Sequence, residues 1–169
     1  MINALATILL AAQDDLKPGL IGEYFKFDEG IEDFPDVKNK KPNIRRADKE
    51  LNWEGTGEEF AGTGFAEDFY VRWTGVVRIP KDGKYTFFTE SDDGSRLFID
   101  GKQVVDNGGL HAMEEKEGTA ELKAGPHDIK IDFFENEGGA GCIARWEAEG
   151  VAKEVVPEKV LFHKKGTEK

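Results

Sequence analysis

Ser91-Asp92-Asp93-Gly94 puts two carboxylates side by side between two extended apolar segments, Lys84 to Thr89 and Arg96 to Ile99. Like charges on adjacent residues repel, and a divalent cation removes the repulsion. A second stretch, Glu135-Asn136-Glu137-Gly138-Gly139-Ala140-Gly141, adds a side-chain amide at Asn136 and main-chain carbonyls in a glycine-rich loop. Carboxylate, amide and carbonyl oxygens are the ligands calcium takes, roughly 6–8 at a time. They converge only if the strands before the two loops end at the same edge of the fold. Taken locally, Asp-Asp-Gly is more often a turn and nothing else, and both readings stand at this point.

Other chemistry-bearing residues point to packing. Trp73 and Trp146 lie among strand-forming apolar neighbours and read as core; Trp53, ahead of Gly55 and Gly57, could also reach a loop surface or a sugar ring. His111 falls in a polar loop and His127 opens a strand, positions that suit structural histidines better than catalytic ones. Cys142 is the single cysteine and reads as a small buried hydrophobe. It excludes an internal disulfide and any multi-cysteine zinc site. No G-x-S-x-G signature accompanies the histidines. Carboxylates are numerous, but nothing singles out a glycosidase-type pair, so the chain is expected not to be an enzyme.

The 169 residues carry a formal net charge of −11. That argues against nucleic acid, whose phosphates need a basic surface, and against electrostatic docking on anionic lipid. The first twelve residues, Met1 to Ala12, are apolar and alanine-rich, too short to span a bilayer at about 20 residues. They read as a signal-type leader over 1–13, or as a helix or strand that docks on a partner. The only membrane contact expected is through them. Residues 14–169 are expected to form one domain.

The elements that must position the loops are strands. Leu20 to Phe27, Phe69 to Ile79, Lys84 to Thr89, Arg96 to Ile99, Gln103 to Asp106, Thr119 to Leu122, His127 to Phe133 and Cys142 to Glu147 are aromatic, β-branched or alternating. Asp82-Gly83 and Asp100-Gly101 suit tight hairpins, and residues 28 to 50 read as a long loop. Short strands with regular turn signals predict an all-β fold, an antiparallel sandwich or barrel.

An ordered series of motifs then matters: Gly19-Leu20-Ile21-Gly22-Glu23-Tyr24-Phe25, Phe69-Tyr70-Val71-Arg72-Trp73-Thr74-Gly75, Pro80 to Phe87, Ser91 to Gly101, Leu122 to Ile129 and Ala144-Arg145-Trp146. The series resembles the PA-fourteen domain family, named for the N-terminal fragment of anthrax protective antigen and shared with yeast flocculins. It covers about Gly19 to Phe162, with Val156 to Phe162 similar to the family's last strand. The resemblance implies a sandwich-type binding module. In flocculin-like members, two aspartates joined by a cis peptide bind calcium, which bridges to sugar hydroxyls with help from an asparagine and carbonyls of a second loop.

Carried onto this sequence, the resemblance implies calcium ligation by Asp92, Asp93, Asn136, Gly138 and Ala140. Carbohydrate contacts would come from Asp92, Asp93, Asn136 and Glu137. Glu135 and Glu137 flank Asn136, and either could join the ion or crowd a neutral sugar. The expected function is noncatalytic, lectin-like binding of a glycan or cell-surface carbohydrate outside the cytoplasm. The rival expectation is a structural or docking subunit, bound to the protein subunits of a larger assembly through the apolar N-terminus.

Overall fold

A computed structural model describes residues 15–57 and 59–168; the leader expected over 1–13 lies outside them. In chain order the strands are β1 (Leu16–Pro18), β2 (Leu20–Lys26), β3 (Ile44–Asp48), β4 (Asn52–Thr56), β5 (Phe69–Ile79), β6 (Gly83–Asp92) and β7 (Ser95–Ile99). Then follow β8 (Lys102–Asn107), β9 (Glu114–Leu122), β10 (Gly125–Glu135), β11 (Ala140–Ala148), β12 (Val151–Val155) and β13 (Leu161–Lys164). They form two antiparallel sheets packed as an open sandwich. One runs β1-β13-β5-β10-β7-β8 with β2 and β3 added beside β5; the other runs β12-β11-β6-β9 with β4 added beside β11. The expected all-β antiparallel fold is the one observed, as a sandwich rather than a barrel.

Between the sheets lies an aromatic core. Trp73 is fully buried, stacks on Trp53 at a centroid distance of 5.7 Å and on Phe133 at 6.4 Å, and Phe60 fills the gap 5.1 Å from Phe133. Trp146 is buried against Tyr85. Trp53 is half-buried in this stack, so its packing role prevails over a sugar-facing one. Aromatic pairs of this kind add about 0.5–1.5 kcal/mol beyond their buried area.

Several expected boundaries move. Residues 44–48, expected as loop, form β3 against β2; Arg45, Arg46 and Asp48 hide the strand signal because one face meets solvent and the other carries a polar network around Asp48. β9 begins five residues earlier than expected because its charged edge residues Glu114 to Gly118 pair with β6 through main-chain bonds. Asp82-Gly83 is not a hairpin: β5 and β6 belong to opposite sheets, and the turn crosses between them. Asp100-Gly101 is a hairpin, with φ of 50° and 77°. Residues 156–160 are a link and a 3-10 turn, and the last strand is Leu161–Lys164.

What positions the site is a set of crossings. β6 into β7, β8 into β9 and β10 into β11 all pass from one sheet to the other. Registers fix them at one end of the sandwich: Asp92 opposite Gly141, Ser91 opposite Glu114, Ser95 opposite Asn107, and Ser95 opposite Phe133. Beneath them, Asn107 Nδ2 donates to Ser91 Oγ at 3.2 Å and to the Glu114 carbonyl at 2.9 Å, and the Ser91 and Ser95 hydroxyls meet at 2.7 Å.

Candidate functional site

Asp92 ends β6 and Asp93 begins the crossing to β7; the peptide between them is cis. Gly94 follows because nothing larger fits: a Cβ there would stand 2.4 Å from the Phe134 ring and 3.0 Å from the Gly109 carbonyl. Asp93 is 6% exposed and gathers all three crossings. Its Oδ1 accepts the His111 N–H at 2.9 Å, and its Oδ2 accepts the Asn136 N–H at 3.0 Å. The two loops expected to converge do so, yet β6 and β10 are not sheet neighbours. They meet because each crosses between sheets at the same end.

Glu135 closes the group. One carboxylate oxygen from each of Asp92, Asp93 and Glu135 can lie within 4.8 Å of the others. Glu135 is fully buried, and neither of its carboxylate oxygens makes a hydrogen bond. Burial first, then the charges of Asp93 and Asp92, push its carboxyl up to about 9; the nearby Asp93 N–H opposes this without closing a hydrogen bond. Asp92 is partly exposed, and burial followed by the Asp93 charge raises its carboxyl above the ordinary value.

Three residues earlier on β10, Asp132 is equally buried but fully satisfied. It accepts from Tyr70 Oη at 2.6 Å and from Arg72 Nε and Arg96 Nε at 2.9 Å each, with Lys130 Nζ at 3.3 Å. A buried carboxylate ordinarily has such partners. Glu135 lacks them, and the free side of its site faces two more carboxylates.

The remaining expected residues fall around this group. Asn136 is bonded through its main chain, its carbonyl accepting the Asp68 N–H at 2.9 Å, while its Oδ1 packs against Gly30. Glu137 and Gly138 are exposed, Gly138 with φ of 108°, and Ala140 opens β11 with its side chain in the core. The Gly108–Met113 connection carries no motif that marks it as part of the site; the only signal is His111 in a short polar loop. The His111 ring lies 2.9 Å from the Ala112 carbonyl and 3.2 Å from the Asn107 carbonyl, a structural role. Met113 seats over Gly55 and Gly141, where a Cβ would meet its side chain at 2.9 and 2.6 Å.

Three carboxylates gathered at the crossing end of a two-sheet antiparallel sandwich set the class of fold and the place of the candidate site. The chain belongs to the PA14 domain family, which it matches over residues 16–159. The anti-sigma-I factor RsgI3 of Acetivibrio thermocellus is 31% identical over 119 residues, 69% of this chain and 18% of that protein. The solved anti-sigma factor domain-containing protein from Clostridium clariflavum is 28% identical with a TM-score of 0.74, over 90% of this chain and 49% of that one. This chain thus spans only part of the length of these relatives. The PA14 sugar-binding domain from an RTX adhesin superposes with a TM-score of 0.76 at 20% identity, over 86% of this chain and 98% of that one, a likeness of fold.

Proposed function

We propose that this chain is a noncatalytic module that binds carbohydrate through a calcium ion at the crossing end of the sandwich. The observation that carries the reading is Glu135: a fully buried carboxylate with both oxygens unpartnered, turned toward Asp92 and Asp93. Three carboxylates without a cationic side chain in the group suit a hard divalent cation. Asp92, Asp93 and Glu135 would hold it, with main-chain oxygens of the Glu135–Gly141 loop and the Asn136 amide completing the shell. Calcium supplies open coordination positions that accept vicinal hydroxyls. Asp93 keeps the three connections in place through its bonds to His111 and Asn136, while exposed Glu137 lies at the rim.

The sugar-binding description of the RTX adhesin domain supports a glycan as the ligand class. A weak calcium site, in the submillimolar to millimolar range typical of extracellular modules, suits placement outside the cytoplasm. The test is oligosaccharide binding by the full chain in calcium and in chelator. Binding in calcium alone, lost in Asp92→Asn/Asp93→Asn, supports the reading; equal binding in both conditions overturns it.

The similarity to anti-sigma factors favours a second reading, a docking module for other protein segments. Deleting Met1 to Ala12 separates the two. Loss of assembly with carbohydrate binding intact would assign docking to the leader.

A further inference from the structure

His127 stands near the start of β10 and Glu135 at its end, so the histidine lies at the opposite end of the sandwich, about 26 Å away at roughly 3.3 Å per residue. Its side chain is 16% exposed. Ring Nδ1 is 2.7 Å from Asp100 Oδ2, and ring Nε2 is 2.8 Å from the Lys123 carbonyl oxygen. A carboxylate and a carbonyl only accept hydrogen bonds, and a neutral imidazole has a single N–H to give. Both contacts are hydrogen bonds only when the ring carries two protons. In the neutral ring, one nitrogen lone pair faces an oxygen lone pair.

The two acceptors sit on different connections. Asp100 is at the tip of the β7–β8 hairpin, where its Oδ1 also accepts the Asp128 N–H at 2.9 Å. Lys123 follows Leu122 and opens the crossing from β9 to β10. Between the hairpin and β9 lies a cleft of about 410 Å3, with Ile99, Asp100, Lys102 and Val104 on one wall and Thr119 to Leu122 on the other. The walls touch at Gly118, which leaves no room for a Cβ against the Val104 carbonyl. At the other end of the cleft the imidazolium bridges them.

The charges around the ring favour the second proton. Asp100 faces it from the hairpin and Asp128 acts from its own strand, while the Lys123 ammonium is engaged by Asp82 at 2.8 Å from the β5–β6 crossing. Lys84, Lys102 and Glu121 line the cleft with Asp100. On β5 the opposing residue is Val77, and the neighbouring Arg78 guanidinium lies over the Phe162 ring at 4.8 Å. Burial by itself would make the ring less basic; the Asp100 and Lys123 hydrogen bonds and the Asp100 and Asp128 charges outweigh it and hold the ring more basic than an ordinary histidine.

We infer that His127 is a proton-operated clasp: as an imidazolium it ties the β7–β8 hairpin to the β9–β10 crossing and closes that end of the cleft, and as a neutral ring it releases the crossing. The inference stands apart from the carbohydrate reading. A hydrogen bond to a carboxylate is roughly twice as strong as one to a neutral acceptor, so the neutral ring keeps its proton on Nδ1 and gives up Lys123. A group that is more basic when folded contributes stability that is fully present below the unfolded value of about 6.5 and is lost as pH rises through the folded one.

The test is NMR titration of the His127 ring in the full chain and in Asp100→Asn, a substitution that suits the φ of 50° at that position. Thermal unfolding of the native chain and His127→Gln at about pH 5.5 and about pH 8.5 accompanies it. The expected ring midpoint lies above about 6.5 in the native chain and lower in Asp100→Asn. The melting-temperature advantage of the native chain over His127→Gln should be larger at the acid pH and shrink at the alkaline one. Protection of the Ala124 amide, which donates to Asp82 Oδ1 at 2.8 Å, should fall through the same midpoint while Ile131 inside β10 stays protected. A native midpoint at or below about 6.5, or one unmoved in Asp100→Asn, would overturn the clasp. So would an equal melting-temperature advantage at both pH values, or Ala124 protection that does not follow the ring. The two ring titrations decide the question even where His127→Gln does not fold.

Discussion

Asp132 and Glu135 stand three residues apart on β10, both fully buried, and only Asp132 is neutralised by its surroundings. Two arginines, a lysine and a tyrosine surround Asp132, whereas Glu135 meets Asp92 and Asp93. One strand therefore carries a carboxylate paired with cationic and hydroxyl partners at Asp132 and one without a hydrogen-bond partner at Glu135.

Glu135→Gln replaces a carboxyl that burial and the Asp93 and Asp92 charges push up to about 9 with an amide of nearly the same volume that has no ionised form to suppress. Without calcium, the variant should be more stable than the native chain by roughly 1–3 kcal/mol, read as an increase in denaturant midpoint. With calcium the order should reverse, because the native chain gains more from the ion. The same stability difference in calcium and in chelator would show that Glu135 does not respond to the ion.

Asp132→Asn should cost roughly 3 kcal/mol, since it removes the buried negative charge between Arg72 and Arg96 and sets an NH2 group against one of the two guanidinium groups. Burial by itself would raise the Asp132 carboxyl; the Arg72 and Tyr70 hydrogen bonds and the Arg72 and Lys130 charges hold it below its ordinary value. A lowered folded value means stability present above the unfolded value of about 3.9 and lost as pH falls through the folded one. Urea unfolding measured from about pH 7 down to pH 2 should show a steeper loss below pH 4 for the native chain than for the variant. Parallel curves would contradict the assignment.

Gly94→Ala places a methyl group against the Phe134 ring and the Gly109 carbonyl. The Phe134 ring is fully buried on β10 and has no room to withdraw, so the expected cost is above about 2 kcal/mol by thermal or urea unfolding. A neutral effect would mean that the turn has room the observed packing denies.

Asp93→Asn replaces one of two accepting oxygens with an NH2 group that cannot accept an N–H bond. Amide hydrogen exchange should quicken at His111 or at Asn136, whichever loses its acceptor, while β6 and β10 interiors stay protected. Unchanged exchange at both amides would show that Asp93 does not tie the connections together.

The sequence reveals the strands through alternation and β-branched runs such as Val71 to Ile79, and both site loops through their glycines and paired charges. β3 is concealed because Arg46 and Asp48 form a polar network where an apolar face would otherwise lie, and Arg45 on the other face pairs with Glu23 at the surface. The sheet to which each strand belongs is not written in local pattern either; Asp82-Gly83 has hairpin composition but crosses between sheets. For that reason the nearness of Asp92 to Glu135 follows from topology, and the part played by Gly108–Met113 rests on a main-chain N–H, which any residue at position 111 other than proline would supply.

Calorimetric titration of calcium into the full chain, beside Asp92→Ala/Asp93→Ala, tests the calcium site most directly. One ion per chain, absent in the variant and accompanied by a rise in melting temperature, is the expected result. No heat, with the same melting temperature in calcium and in chelator, would contradict a cation site at Asp92, Asp93 and Glu135.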